Sequence, residues 1–203
     1  LQGVLASGVG SVKASLPQLI ADNLWQVFPE IVLAKPLANA INGSALISDV
    51  INKQNMKDFD SIVLGPGLGI CGEEWSKYSK ILEDFEGLLV LDADAINRLS
   101  KSMEGWKWLK KRIGRTWVTP HISEFKRLFP FIDYSNPLHA AIEASKISGC
   151  SILLKGAHSV ISDEFGNAWQ IGESDPCVAR TGLGDLLAGF LAGMGALGLS
   201  SND

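Results

Sequence analysis

SIVLGPGLG (Ser61–Gly69) sets the architecture. Its first four residues read as a short strand buried on both faces, and the Gly-Pro-Gly run that follows ends it. The same succession recurs along the chain. LLVL (Leu88–Leu91) runs into DADAIN, TWV (Thr116–Val118) into TPHISEF, and SILL (Ser151–Leu154) into KGAHS. Amphipathic stretches separate these runs, with helices expected over Glu73–Glu86, Trp106–Ile113 and Pro137–Gly149. Strands alternating with helices imply an α/β domain whose mostly parallel sheet is covered on both faces.

Outward from this centre the signals are shorter. Ser159–Ser162 and Ala168–Ile171 read as a hairpin turning at 163–167, and a last helix starts near Gly184. Toward the N-terminus, Gly10–Ala14 and Ile31–Ala34 read as strands. Ser15 and Pro17 open a helix whose apolar residues Leu16, Leu19, Ile20, Leu24 and Val27 recur at helical spacing. Ala45–Lys53 is a further expected helix.

GPGLG, DAD, TPH and KGAH each follow a buried strand. Parallel strands end on one side of a sheet, and open α/β sheets bind ligands beyond those ends. The motifs therefore converge on one small-molecule site. GLGD (Gly182–Asp185) opens the last helix, where backbone N–H groups and the helix dipole favour an anion. Asp185 beside such a cradle can take a proton from an attacking hydroxyl, or can be an ordinary residue of a helix start. Asp92 at its strand end can reach a ligand, a hydrated metal or a capping N–H. Asp94 reads as a helix start, and Asn97 as a group that could orient either carboxylate. His121 opens a helix after Thr119-Pro120. Lys155 brings a cation to a strand end without any P-loop pattern. Gly67-x-Gly69-x-x-Gly72, with Asp92 twenty residues on, also spells a dinucleotide fingerprint. That reading leaves TPH, KGAH and GLGD without a role.

Composition excludes several classes. The 203 residues carry 18 Lys+Arg against 22 Asp+Glu, a net charge of −4, so no general basic field exists for nucleic acid or an anionic membrane. With 46% hydrophobic residues the chain suits one packed domain over 1–203. The apolar run Leu186–Leu199 is shorter than the ~20 residues that span a bilayer. Cys71, Cys150 and Cys177 lack metal spacing and read as free thiols of a reducing, cytoplasmic setting. No protein metal site is expected. Lys107, Lys110, Lys111, Arg112 and Arg115 read as a solvated helix face.

In order along the chain, Gly8-Val-Gly10, Pro29-Glu30, GPGLG, DADAIN, TPHISEF, LLKGAHSVI and GLGDLLAG resemble the NAD(P)H-hydrate dehydratase family. The resemblance implies a ribokinase-like three-layer α/β/α fold. It implies ADP- or ATP-driven dehydration of the S epimer of hydrated NADH or NADPH, with Mg²⁺ on the phosphates. Carried over by motif, Asp185 is the base and a substrate contact, and Gly67 and His121 are substrate contacts. Lys155, Gly156, Ala157, His158, Ser159 and Gly184 are nucleotide contacts. A fused or separate epimerase and a homo-oligomer are expected, as are first strands preceding Leu1. Leu183 stands where the family usually has Thr, and Arg180 adds a charge near the phosphates. These departures keep a non-catalytic nucleotide-binding module among the alternatives, beside a small-molecule kinase of the same fold and an NAD-dependent dehydrogenase.

Overall fold

The computed structural model describes residues 1–52, 56–173, 175 and 180–200. Cys177 and most of the stretch before Thr181 lie outside the described residues. In chain order the elements are α1 (Gln2–Ala6), β1 (Lys13–Ala14), α2 (Gln18–Ala21), α3 (Leu24–Val27), β2 (Val32–Leu33), β3 (Ala38–Asn39) and β4 (Ala45–Leu46). The larger part follows with β5 (Ser61–Leu64), α4 (Ser76–Glu83), β6 (Leu88–Leu91), α5 (Ala93–Lys101), a 3₁₀ helix (Gly105–Lys111), β7 (Thr116–Val118) and α6 (Ile122–Leu128). α7 (Pro137–Ser148), β8 (Ser151–Leu154), β9 (Val160–Ser162), β10 (Ala168–Gln170) and α8 (Leu183–Ala196) complete it.

β5 to β10 form one sheet in sequence order. β5, β6, β7 and β8 run parallel, and β9 and β10 add antiparallel strands at one edge. Alternation along the strands sorts the core into two layers. Leu89, Leu91, Val118, Ile152 and Leu154 pack with α4, α5, α6 and α7 in the larger cluster. Leu88, Val90 and Trp117 turn the other way, onto Ala188 and Ala192 of α8. All four residues of β6 are buried because both faces are covered. This is the expected three-layer α/β/α arrangement.

α8 lies antiparallel to the strands beneath it. Near its C-terminal end, the Ala192 carbonyl accepts from Ser61 Oγ at 2.7 Å, and Gly195 sits on Leu88 and Trp117 at the start of their strands. Its N-terminus therefore points to the carboxyl ends of β5–β8. α1 packs along the outside of α8 so closely that a β-carbon at Gly3 would lie 1.9 Å from the Leu186 carbonyl oxygen.

Three expected helices differ. The 15–27 helix is two short ones, α2 and α3, interrupted at Asp22-Asn23; Leu19, Ile20 and Val27 are exposed rather than an inward stripe. The 45–53 helix is replaced at its start by β4, which pairs antiparallel with β3. The basic stretch is a 3₁₀ helix, and Arg112 is not solvated. Its guanidinium turns inward onto the carbonyls of Leu82 and Gly87 and onto Thr116 Oγ1, stapling the foot of the sheet. Cys150 is buried, and burial pushes its thiol up to about 12, which fits a structural residue rather than a nucleophile.

Candidate active site

Each parallel strand delivers a different chemical group to the same rim. After β5, the chain turns through Gly65. A β-carbon there would lie 1.7 Å from the Asp92 carbonyl oxygen, so only glycine lets the ends of β5 and β6 meet. The loop then exposes Gly67. α5, launched from β6, clamps that loop from beneath. Asp94 Oδ2 accepts the Gly69 N–H at 2.8 Å, and Arg98 donates to the carbonyls of Gly69 at 2.8 Å and Leu68 at 2.7 Å. Asp94 and Arg98 are one helical turn apart and hold the donor and acceptor of one loop. Sequence reasoning missed Arg98, although its i, i+4 spacing from Asp94 was in view. Asn97 orients neither carboxylate; its Oδ1 accepts from Arg127 Nε at 3.0 Å.

From β7 comes Thr119-Pro120-His121. His121 is the N-cap of α6: its Nδ1 accepts the Ser123 N–H at 3.0 Å, while Glu124 returns a bond to the His121 N–H at 2.9 Å. With Nδ1 engaged as an acceptor, the neutral ring carries its proton on Nε2, which faces Glu124 Oε1 at 3.3 Å. The ring is half exposed on the rim.

β8 supplies Lys155, tied alongside by its N–H to the Pro120 carbonyl at 2.8 Å. Lys155 Nζ reaches across to Asp92 Oδ1 at 2.6 Å, and Thr119 Oγ1 donates to the same oxygen at 2.8 Å. Asp92 is only 1% exposed. The sequence left a ligand, a hydrated metal or a capping N–H open to it; the carboxylate makes no cap bond and pairs with the Lys155 ammonium. Gly156, Ala157 and His158 are exposed in the turn after β8, and the Gly156 N–H meets Ser159 Oγ at 3.3 Å.

The N-terminus of α8 meets this row from the side. A β-carbon at position 184 would lie 3.5 Å from Lys155 Nζ. Gly184 and Lys155 are thus together, and Asp185, exposed in the first turn of α8, is next to them in the chain. Gly67 and His121 follow β5 and β7, whose carboxyl ends lie on the same rim. An ammonium beside a helix N-terminus is an arrangement that suits an anion.

The dinucleotide fingerprint lacks its context. The glycine run does not open a helix, since α4 begins only at Ser76, and Gly72 is packed against Arg98 and Ala45. The Asp92 carboxylate is committed to Lys155 and Thr119 rather than available to a ribose. Among the described residues no group of three His, Cys, Asp or Glu side chains could hold a metal. Mg²⁺ in phosphate sites is held by one or two carboxylates plus phosphate oxygens. The donor set therefore fits an ion carried by a nucleotide, with Asp185 the exposed carboxylate at the α8 N-terminus.

A family profile described as NAD(P)H-hydrate dehydratase matches residues 2–203. The chain is 36% identical over 195 residues to the bifunctional NAD(P)H-hydrate repair enzyme of Synechocystis sp., covering 95% of this chain and 35% of that protein. It is 35% identical over 192 residues to the Gloeobacter violaceus enzyme of the same name, covering 95% of this chain and 36% of that one. The chain thus spans about a third of the length of these relatives. Among solved structures, the Bacillus subtilis ADP/ATP-dependent NAD(P)H-hydrate dehydratase co-crystallised with ATP/Mg²⁺ and soaked with CoA superimposes with a TM-score of 0.75. It is 23% identical, covering 99% of this chain and 69% of that chain. A ribokinase-like superfamily protein of Enterococcus faecalis gives 0.73 at 23% identity, covering 96% and 64%. At these identities the structures establish the ribokinase-like fold.

Proposed function

The chain belongs to the NAD(P)H-hydrate dehydratase family, and on that premise we propose that it is the nucleotide-dependent dehydratase unit of nicotinamide-nucleotide repair. The substrate is the S epimer of hydrated NADH or NADPH. The observation that carries the reading is the approach of Lys155 Nζ to Gly184 at the head of α8. A cation from a strand end and amides from a helix N-terminus stabilise a phosphoryl group in transit, where positioning and electrostatics supply most of the catalysis.

The reaction follows from the placement of groups. The substrate hydroxyl oxygen attacks the terminal phosphorus of ADP or ATP, forming an O–P bond as the phosphoanhydride bond breaks. Asp185 takes the hydroxyl proton. AMP or ADP leaves; the C–O bond to phosphate then breaks, phosphate departs with the bonding electron pair, the neighbouring carbon gives up a proton to the departing phosphate, and the ring double bond is restored. Gly67 and His121 contact the substrate. The Lys155–Ser159 turn and Gly184 contact the nucleotide. Mg²⁺ carried by the nucleotide would neutralise phosphate charge, and Asp185 is the carboxylate that would meet it.

Residues 1–203 belong to one such unit. An epimerase, fused or separate, supplies the correct substrate epimer, and the unit works in the cytoplasm as a homo-oligomer. No helix among the described residues is long and apolar enough to cross a membrane.

The test is incubation of the chain with hydrated NADH plus ADP or ATP, following recovery of dihydronicotinamide absorbance. Asp185→Ala should lower turnover about 10²–10⁴-fold while binding of the Mg²⁺-free nucleotide persists. Unchanged turnover in that variant removes the base assignment. Recovery of a stable phosphorylated alcohol would favour the kinase, and ADP binding without turnover the non-catalytic module.

A further inference from the structure

We infer that Asp92 is a positioning residue, which with Thr119 holds the Lys155 ammonium at the head of α8 so that it meets the terminal phosphoryl group of the nucleotide. The inference rests on the proposed function for the identity of that nucleotide, and on the following geometry for the rest.

Asp92 occupies the N-cap position of α5, with extended backbone (φ −136°, ψ 161°) ahead of the amides that an aspartate at this position normally caps. Its side chain makes no such bond. It turns instead to Lys155, 63 residues away in sequence, and a single oxygen, Oδ1, accepts from both Lys155 Nζ and Thr119 Oγ1. The next residue, Ala93, has φ +47° and is the one non-glycine residue with positive φ among the described residues. Backbone strain of this kind persists where surrounding structure over-determines it, and it clusters at functional sites. The helix thus forgoes a side-chain cap and carries a strained residue exactly where the carboxylate is aimed across the strand ends. The Asp92 backbone packs closely on Gly65, where a β-carbon would lie 1.7 Å from the Asp92 carbonyl oxygen.

The arrangement has a chemical consequence. An ammonium has three N–H donors. One is used on Asp92 and sets the torsion of the other two, next to Gly184. A lysine on an open rim would sample many rotamers; this one is ordered before the phosphate arrives, which is what pre-organised electrostatic catalysis requires. Lys155 is 21% exposed in its side chain and Asp92 1%, so the carboxylate that steers the ammonium is itself shielded from water.

The experiment compares ADP with AMP on the full chain by calorimetry, because only ADP carries the phosphoryl group to be moved. Asp92→Asn should weaken ADP about tenfold and leave AMP within about twofold. Lys155→Met should do the same. The double variant should bind ADP no more weakly than Lys155→Met alone, since coupled residues are non-additive. Thr119→Val, a milder change, should shift the ADP constant in the same direction. Parent-like ADP affinity in Asp92→Asn would overturn the inference. So would equal losses for ADP and AMP with a lowered melting temperature, or a double variant whose loss is the product of the single ones. Because the readout is binding, failure of the parent chain to dehydrate hydrated NADH would count against the proposed function alone.

Discussion

Glu73 gathers a remote loop to itself. Its carboxylate accepts the N–H groups of Ile47 at 2.6 Å and Ser48 at 2.9 Å, and the Ser48 hydroxyl as well. Burial works to raise its pKa, but the bonds from Ser48 and Ile47 and the charge of Lys77 outweigh it and leave the group below its ordinary value of 4.5. A depressed folded pKa means stability that is present above 4.5 and lost as pH falls below it toward the folded value. Thermal melts across that range should therefore show a drop for the parent chain. Glu73→Gln should melt lower near neutrality and lose less on acidification; parallel curves would remove Glu73 from the acid sensitivity. Single residues were only partly legible in the sequence. Asp185, Lys155 and His121 stood out because each follows a strand or opens a helix. The partners of Asp92 and Arg98 were invisible, because both bind groups tens of residues distant that only strand adjacency brings near.

At the scale of elements, continuous apolar runs identified β5, β6, β7 and β8 within a residue of their observed ends, because doubly buried strands need apolar side chains on both faces. The N-terminal segment misled. Its helical spacing of apolar residues continues across a break at Asp22-Asn23, and Leu19, Ile20 and Val27 face outward while Leu24 is buried. Periodicity records which side chains align, and it carries no information about what covers them. The contact of α1 with α8 depends on an absent side chain. Gly3→Ala would drive a β-carbon into the Leu186 carbonyl, which is backbone and cannot rotate away. The helices must separate, at a cost of about 1–3 kcal/mol. Chemical denaturation should report that loss with little change in slope, and a neutral result would mean that α1 does not hold this position in solution.

For the whole molecule, the convergence of four strand ends followed from parallelism alone. The assignment of particular helices to layers did not, since nothing in the sequence says that α8 takes one face while α4–α7 take the other. Ala192 is 2% exposed between α8 and the β5–β6 surface. Ala192→Leu should overpack that contact and cost about 1–3 kcal/mol. Turnover should fall further than the lost folded fraction explains, and a drop equal to that fraction would argue against any coupling. The reason lies in the direction of α8. From Gly184 to Gly195 it extends about 16 Å at 1.5 Å per residue. A stiff rod transmits a nudge at its foot to its tip, so the seating of a few methyl groups at one pole of the molecule governs how squarely the amides at the other pole greet their anion.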